Sequence, residues 1–302
     1  MTIQQALERA KSLAKERAAA QESQVQPPPL RSDPKGAKPA PANAAPQAHA
    51  RQHAAPEKPV LKPARFERVE LNQTTCAENR ILVPGGDQLL EDRGAAAYRM
   101  LRTRILQRVR SSGWTAVGFT SPGPTEGKSV TTLNLALSIA REMNSNVFLV
   151  DLDLRNPSMA RYLGVTPPHS LVDFLSGQEP ADRTLFSVGI ENLLLAGSTR
   201  STKDSSELIA AGRHMELFAY IASISSQPLI LVDLPPVLST DEAMVVAPQL
   251  DAIFMVIGEG TTRRDGLARS VELLSEFNLA GIILNKSRGA GQDYYSGAYD
   301  AT

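Results

Sequence analysis

Cysteine is almost missing from this chain. A single thiol, Cys76, excludes an internal disulfide framework and a cysteine-built zinc site. Histidine is nearly as scarce, with four scattered residues, too few for a histidine metal cluster. Aromatic residues make up 5%, with one tryptophan, Trp114. No apolar run approaches the ~20 residues that span a bilayer, so no transmembrane helix is expected. The N-terminus also lacks the apolar stretch of a secretory signal, and the expected location is cytoplasmic. An excess of one charge is absent too, because 32 Lys/Arg balance 32 Asp/Glu. That balance hides a split, since residues 1–65 carry 11 Lys/Arg against 5 Asp/Glu. The basic residues are spread out and form no block, which argues against nucleic acid as a partner.

What the chain does have is a change of character along its 302 residues. Ile3, Leu7, Ala10, Ala14 and Ala18 recur on one side of a short helix within residues 1–20. Residues 21–65 hold ten of the 21 prolines and almost no large apolar side chain. Such a segment cannot bury enough surface to offset its ordering entropy, so a disordered linker is expected there. A folded domain is expected over residues 66–290. Leu89–Val109 reads as a helix with Leu101, Ile105 and Val109 toward a core. Strands are expected at 115–120, 146–150, 193–195, 229–232, 253–257 and 281–284. Helices are expected at 128–143, 206–223 and 265–277. Strand–helix alternation predicts an α/β fold of three layers, a parallel sheet covered by helices on both faces.

The most informative stretch is Ser121-Pro122-Gly123-Pro124-Thr125-Glu126-Gly127-Lys128-Ser129. It follows an apolar strand and opens a helix, where backbone N–H groups and the helix dipole cradle phosphates. Lys128 would reach the β- and γ-phosphates and Ser129 would hold Mg²⁺. The strict G-x-x-x-x-G-K-[ST] pattern is not met, because Pro122 stands at the first glycine position. Taken alone, the nonapeptide is compatible with an ordinary turn before a helix. Two further places argue otherwise. Phe148-Leu149-Val150 runs into Asp151-Leu152-Asp153, and Leu229-Ile230-Leu231-Val232 runs into Asp233. Both put carboxylates at the C-terminal ends of buried strands, the edge at which open α/β sheets bind ligands. Asn285 follows the last strand, either as a turn former or as a reader of the adenine edge.

With these residues in place the chain resembles the bacterial tyrosine kinases of capsule and exopolysaccharide loci, from about Gly94 to its end. The motifs are a modified Walker A (SPGPTEGKS), a Walker A′ (FLVDLDLRNP), a Walker B (LILVDLPPVLSTDEA) and a closing tyrosine cluster (DYYSGAYD). NLLLAG at 192–197 and SSELI at 205–209 add to the likeness. The opening helix and Pro/Ala linker look like the subgroup of exosortase-associated loci. The resemblance implies a P-loop NTPase-like fold, ATP and Mg²⁺ as cofactors, and autophosphorylation of tyrosine. Gly123, Thr125, Glu126, Gly127, Lys128, Ser129, Val130 and Asn285 would contact nucleotide. Ser129, Asp153 and Asp233 would organise the metal, with Lys128, Asp151, Asp153 and Asp233 catalytic. Asp151 would be the base or hydroxyl-orienting group, and Arg155 would assist geometry. Tyr294, Tyr295 and Tyr299 would accept phosphate in a flexible tail, residues 291–302. The implied partners are further copies of the chain and a separate membrane-bound polysaccharide co-polymerase that activates it. The location implied is then peripheral at the inner membrane.

The sequence departs from the family in places. Arg99 and Arg102 stand at the arginines of an E-x-x-R-x-x-R interface motif, but Ala96 replaces its glutamate. Thr125 replaces a common glycine. Two other functions fit parts of the pattern. A non-catalytic nucleotide-binding regulator of polysaccharide assembly would suit the altered loop and lost glutamate. A ParA/MinD-type positioning ATPase would need a second lysine where Gly123 stands.

Overall fold

The computed structural model describes residues 65–83, 88–141 and 146–287. The expected N-terminal helix, nearly all of the linker, and the tail with Tyr294, Tyr295 and Tyr299 lie outside the described residues. The elements that matter below are α1 (Gln73–Glu78), α2 (Gln88–Ser112), β1 (Ala116–Thr120), α3 (Lys128–Ala140) and β2 (Asn146–Asp151). They are followed by α4 (Met159–Leu163), α5 (Leu171–Leu175), α6 (Ala181–Thr184), β3 (Phe186–Ser187) and β4 (Leu193–Ala196). The last are α7 (Ser205–Ala210), α8 (His214–Ile224), β5 (Pro228–Asp233), α9 (Glu242–Val246), β6 (Ala252–Gly258), α10 (Arg264–Leu273) and β7 (Leu279–Asn285).

The strands form one seven-stranded sheet in the order β3-β4-β2-β5-β1-β6-β7. All neighbours are parallel except the short β3–β4 pair. Central strands such as β1 and β6 are buried along their whole length, which is why they read as unbroken apolar runs and not as alternating ones. Alternate residues nevertheless feed different cores. Phe148, Val150, Ile230 and Val232 pack on one face, with Ile209, Leu217, Ile221 and Leu267 of α7, α8 and α10. Val147, Leu149, Leu229 and Leu231 pack on the other, with Leu133, Leu137 and Ile139 of α3 and Ile105 of α2. Phe119 and Phe254 stack at 5.7 Å within that second core. The expected three-layer α/β/α architecture is present.

The edge at β3 is covered. Val69 N donates to Ser187 O at 2.8 Å and Ser187 N to Glu67 O at 2.8 Å, so chain from 67–69 occupies hydrogen-bonding groups that would otherwise invite another strand. Phe66, Cys76, Ile81 and Val83 are buried, so this segment packs as part of the described fold. Asn134 ties this segment to α3, donating to Arg80 O and accepting from Leu82 N.

Three features differ from the sequence reading. The helix expected over 206–223 is two helices, α7 and α8, broken at Gly212, whose φ is +77. A left-handed residue cannot continue a right-handed helix. β3 and the four- or five-residue helices α4, α5, α6 and α9 were not anticipated, because elements so short carry no readable period. α3 ends at Ala140, and Met143 lies outside the described residues.

Candidate functional site

The site is built where β1, β2 and β5 end. Pairing of β1 with β5 sets Phe119 beside Asp233, and pairing of β2 with β5 sets Asp151 beside Asp233. Three strand ends therefore open onto the first turn of α3. The loop joining β1 to α3 is held by its own side chains. Thr120 Oγ1 donates to Pro235 O at 2.8 Å, and Ser121 Oγ to Gly123 O at 2.7 Å. Gly127 sits at the helix entry with φ +86, a conformation that glycine adopts without steric cost. A β-carbon there would lie 2.0 Å from the Asn285 side-chain nitrogen, so a larger residue would have to displace the Asn285 amide.

Lys128 opens α3 and is buried. Its ammonium lies 2.8 Å from Asp233 Oδ1 and 3.4 Å from Asp153 Oδ2, and donates to Ser129 Oγ at 3.2 Å. Ser129 Oγ in turn donates to Asp233 Oδ2 at 2.5 Å. Burial works against the lysine's charge, but Asp233 and Asp153 outweigh it and hold its pKa above the ordinary value. Burial likewise raises Asp233, with Lys128 and Ser129 pulling the other way.

Asp151 is fully buried, and its carboxyl is pushed up to about 7 by burial and then by the charge of Asp233. Both its oxygens face backbone. Oδ2 accepts from Ser158 N at 3.0 Å and Met159 N at 3.1 Å, and Oδ1 from Asp153 N at 3.2 Å. Asp151 thus shapes the turn that carries Asp153, whose Oδ1 accepts from Asn156 N at 3.2 Å. Arg155 points to a second network. Its Nε lies 2.8 Å from Glu242 Oε1 and 3.0 Å from Ser205 Oγ. Glu242 is buried, and although burial opposes its charge, the hydrogen bond from Ser205 and the Arg155 contact help hold its carboxyl down at about 2. Sequence reading did not single out Glu242, though it lies inside the quoted LSTDEA run.

Asn285 reaches the phosphate loop. Its side-chain amide donates to Glu126 O at 3.0 Å, and Lys286 Nζ donates to Thr125 O at 2.5 Å. The structure thus brings Gly123, Thr125, Glu126, Gly127, Lys128, Ser129, Asp151, Asp153, Asp233 and Asn285 to one edge of the sheet. Val130 packs against the core behind it. Arg102 donates from Nη1 to Ser138 O of α3 at 2.9 Å.

Three carboxylates share one buried ammonium here, so the donor set favours added positive charge. No three His, Cys, Asp or Glu among the described residues converge closely enough to cage an ion by themselves. A Ser hydroxyl with one or two carboxylates, completed by phosphate oxygens and water, is the usual manner of holding Mg²⁺. The residues present fit that role.

Comparison with known proteins agrees with this geometry. No family model matches the chain. Among curated proteins it is similar to EpsB of Ralstonia nicotianae, 26% identical over 65% of this chain and 26% of EpsB. It is similar to the tyrosine-protein kinase YwqD of Bacillus subtilis, 27% identical over 62% of this chain and 79% of YwqD. The chain therefore spans about a quarter of the first relative and most of the second. Among solved structures it is similar to the kinase domain of VpsO, with a TM-score of 0.58 and 26% identity, covering 67% of this chain and 98% of that one. No helix among the described residues is long and apolar enough to cross a membrane.

Proposed function

We propose, from the premise that the chain belongs to the bacterial tyrosine kinase family, that it transfers the γ-phosphate of ATP to tyrosine hydroxyls, first of all to Tyr294, Tyr295 and Tyr299 of another copy. The observation that carries this reading is the convergence of Lys128, Ser129, Asp153 and Asp233 at the entry to α3, beside Asp151. Phosphoryl transfer asks the protein mainly for positioning and charge neutralisation. Lys128 would hold the transferring phosphate from the helix entry, where the dipole adds to its charge. Ser129, Asp153 and Asp233 would hold Mg²⁺, which neutralises phosphate charge when bound. The tyrosine oxygen attacks the γ-phosphorus, the bond to the ADP oxygen breaks, and the phenolic proton passes to Asp151. Asp151 accepts three N–H groups, and a carboxylate has about four lone-pair sites, so one remains for that proton.

Asn285 ends β7 on the same edge as the site, and the tyrosines follow it in the chain. Tyr294 lies nine positions past Asn285. A glycine-rich chain of that length reaches about 15–18 Å on average, which suits a neighbouring subunit. Assembly of copies, control by a membrane-bound polysaccharide co-polymerase, and a resulting place at the inner membrane complete the reading. The second reading, a non-catalytic nucleotide-binding regulator, is favoured by one observation: Asp151 is already committed to three backbone N–H groups.

Incubation of the pure chain with labelled ATP and Mg²⁺, followed by phosphotyrosine detection, separates the two. Mixing a Lys128→Ala chain that keeps its tail with an active chain lacking residues 293–302 should place phosphate on the former. Nucleotide binding without phosphotyrosine on either chain would leave the regulator reading standing.

A further inference from the structure

We propose that Glu126 is a positioning residue that braces the phosphate loop against the loop between β6 and α10 through Thr262. The proposal rests on the nucleotide-binding reading above. Glu126 is buried within the loop itself. Its Oε2 accepts from Gly123 N at 3.0 Å, and its Oε1 accepts from Thr262 Oγ1 at 2.6 Å. Thr262 Oγ1 in turn accepts from Gly258 N, the last residue of β6, at 2.9 Å. A continuous chain of hydrogen bonds therefore runs from the end of β6, through one hydroxyl and one carboxylate, to the start of the phosphate loop.

Both carboxylate oxygens are taken by donors of the protein. Glu126 thus supports the loop without offering its charge to a phosphate. The loop needs such support, because Thr125 adopts φ +66. A β-branched residue in the left-handed region is a strained conformer, and it persists only when its surroundings hold it. Lys286 on Thr125 O and Asn285 on Glu126 O grip the same turn. The Glu126–Thr262 contact differs from those two in joining the loop by a buried carboxylate, and hydrogen bonds to an ionised acceptor are the stronger kind. A loop held in its binding shape beforehand spares a ligand the ordering cost.

The brace lies away from the acids. Asp151, Asp153 and Asp233 stand on the β2–β5 side of Lys128, while Thr262 reaches in from the β6 side. It acts on the loop backbone, so its effect should fall on the phosphates and not on the base.

The test is calorimetric titration of the full chain with Mg²⁺-ATP and, separately, with inorganic tripolyphosphate. Glu126→Ala and Thr262→Val should each weaken both ligands by about tenfold or more, the magnitude of a buried hydrogen bond to a charged group. The double variant should be no weaker than the worse single one. Thr262→Ser keeps the hydroxyl and should stay within about threefold of wild type, while Glu126→Gln, whose single amide oxygen cannot accept from both Gly123 N and Thr262 Oγ1, should fall between wild type and Glu126→Ala. Multiplying effects in the double variant, or weakened ATP with unchanged tripolyphosphate, would overturn the brace while leaving nucleotide binding intact. Should Glu126→Ala fail to fold, Thr262→Val against Thr262→Ser decides the matter, and equal affinities overturn it. A wild-type chain that binds no ATP would remove the nucleotide reading and this proposal together.

Discussion

Asp151 and Asp233 stand side by side in register at the ends of β2 and β5, both fully buried. Two like charges so close disfavour joint ionisation. Lys128 touches Asp233 at 2.8 Å and opposes the upward push of burial there, while burial and the charge of Asp233 push Asp151 up to about 7. Asp233, Lys128 and Asp153 are the charged groups that face it.

The first prediction is a pH profile. A base must be ionised to take the tyrosine proton, so the rate of autophosphorylation should climb as pH rises from 6 through about 7 and level off by about pH 8. Initial rates of phosphotyrosine formation at saturating ATP check this. A flat profile over that range would reduce Asp151 to a staple of the A′ turn.

The second concerns Lys128. Lys128→Met should lose ATP binding and leave its acids without their cation. Breaking a buried pair by removing one partner costs about 3–5 kcal/mol. The sign with pH follows from the raised pKa values of Asp151 and Asp233. Their folded pKa lies above the unfolded value, so their contribution is fullest at low pH and fades as pH rises through about 7 for Asp151. The variant's loss of stability in urea should therefore be largest at pH 8 and shrink toward pH 6. A loss that did not vary with pH would contradict the shared-charge picture.

Gly127 supplies the third. Gly127→Ala adds a left-handed penalty of about 1–2 kcal/mol and a collision with Asn285 at 2.0 Å. Adding Asn285→Gly should recover the collision but not the penalty. Urea melts of the single and double variants check the partial rescue. Full recovery would mean that φ at this position carries no strain.

The fourth uses His214, which is buried at the start of α8, bonded to Gln249 and edge-on to Phe218 at 5.9 Å. Burial lowers its pKa, and the Gln249 contact opposes that only in part. The unfolded chain then binds a proton that the folded chain refuses, so stability falls as pH drops below about 6.5. His214→Gln should show a shallower loss than wild type between pH 7 and 5.5. Parallel curves in thermal melts would assign the acid sensitivity to other groups.

By itself the sequence determined the layered fold and the strand ends that carry acids. An apolar run closing on aspartate, and a glycine-lysine-serine turn opening a helix, are local signals that survive without coordinates. Gly127, Lys128, Ser129, Asp151, Asp153 and Asp233 were therefore legible. What only the tertiary structure decided is how these groups divide their work. Asp233 faces the ammonium more closely than Asp153, and Asp151 turns into the backbone of its own loop. Asn285 and Lys286 grip the phosphate loop across 159 and 161 residues, and Thr262 meets Glu126 across 136. A lone threonine in a loop carries no sequence signal, because its partner is chosen by the order of strands in the sheet. Parallel β1 and β6 lie side by side although four strands come between them in the chain, each strand entering beside its neighbour through a crossover. That crossing brings Thr262 to the phosphate loop, and spacing along the chain holds no trace of it.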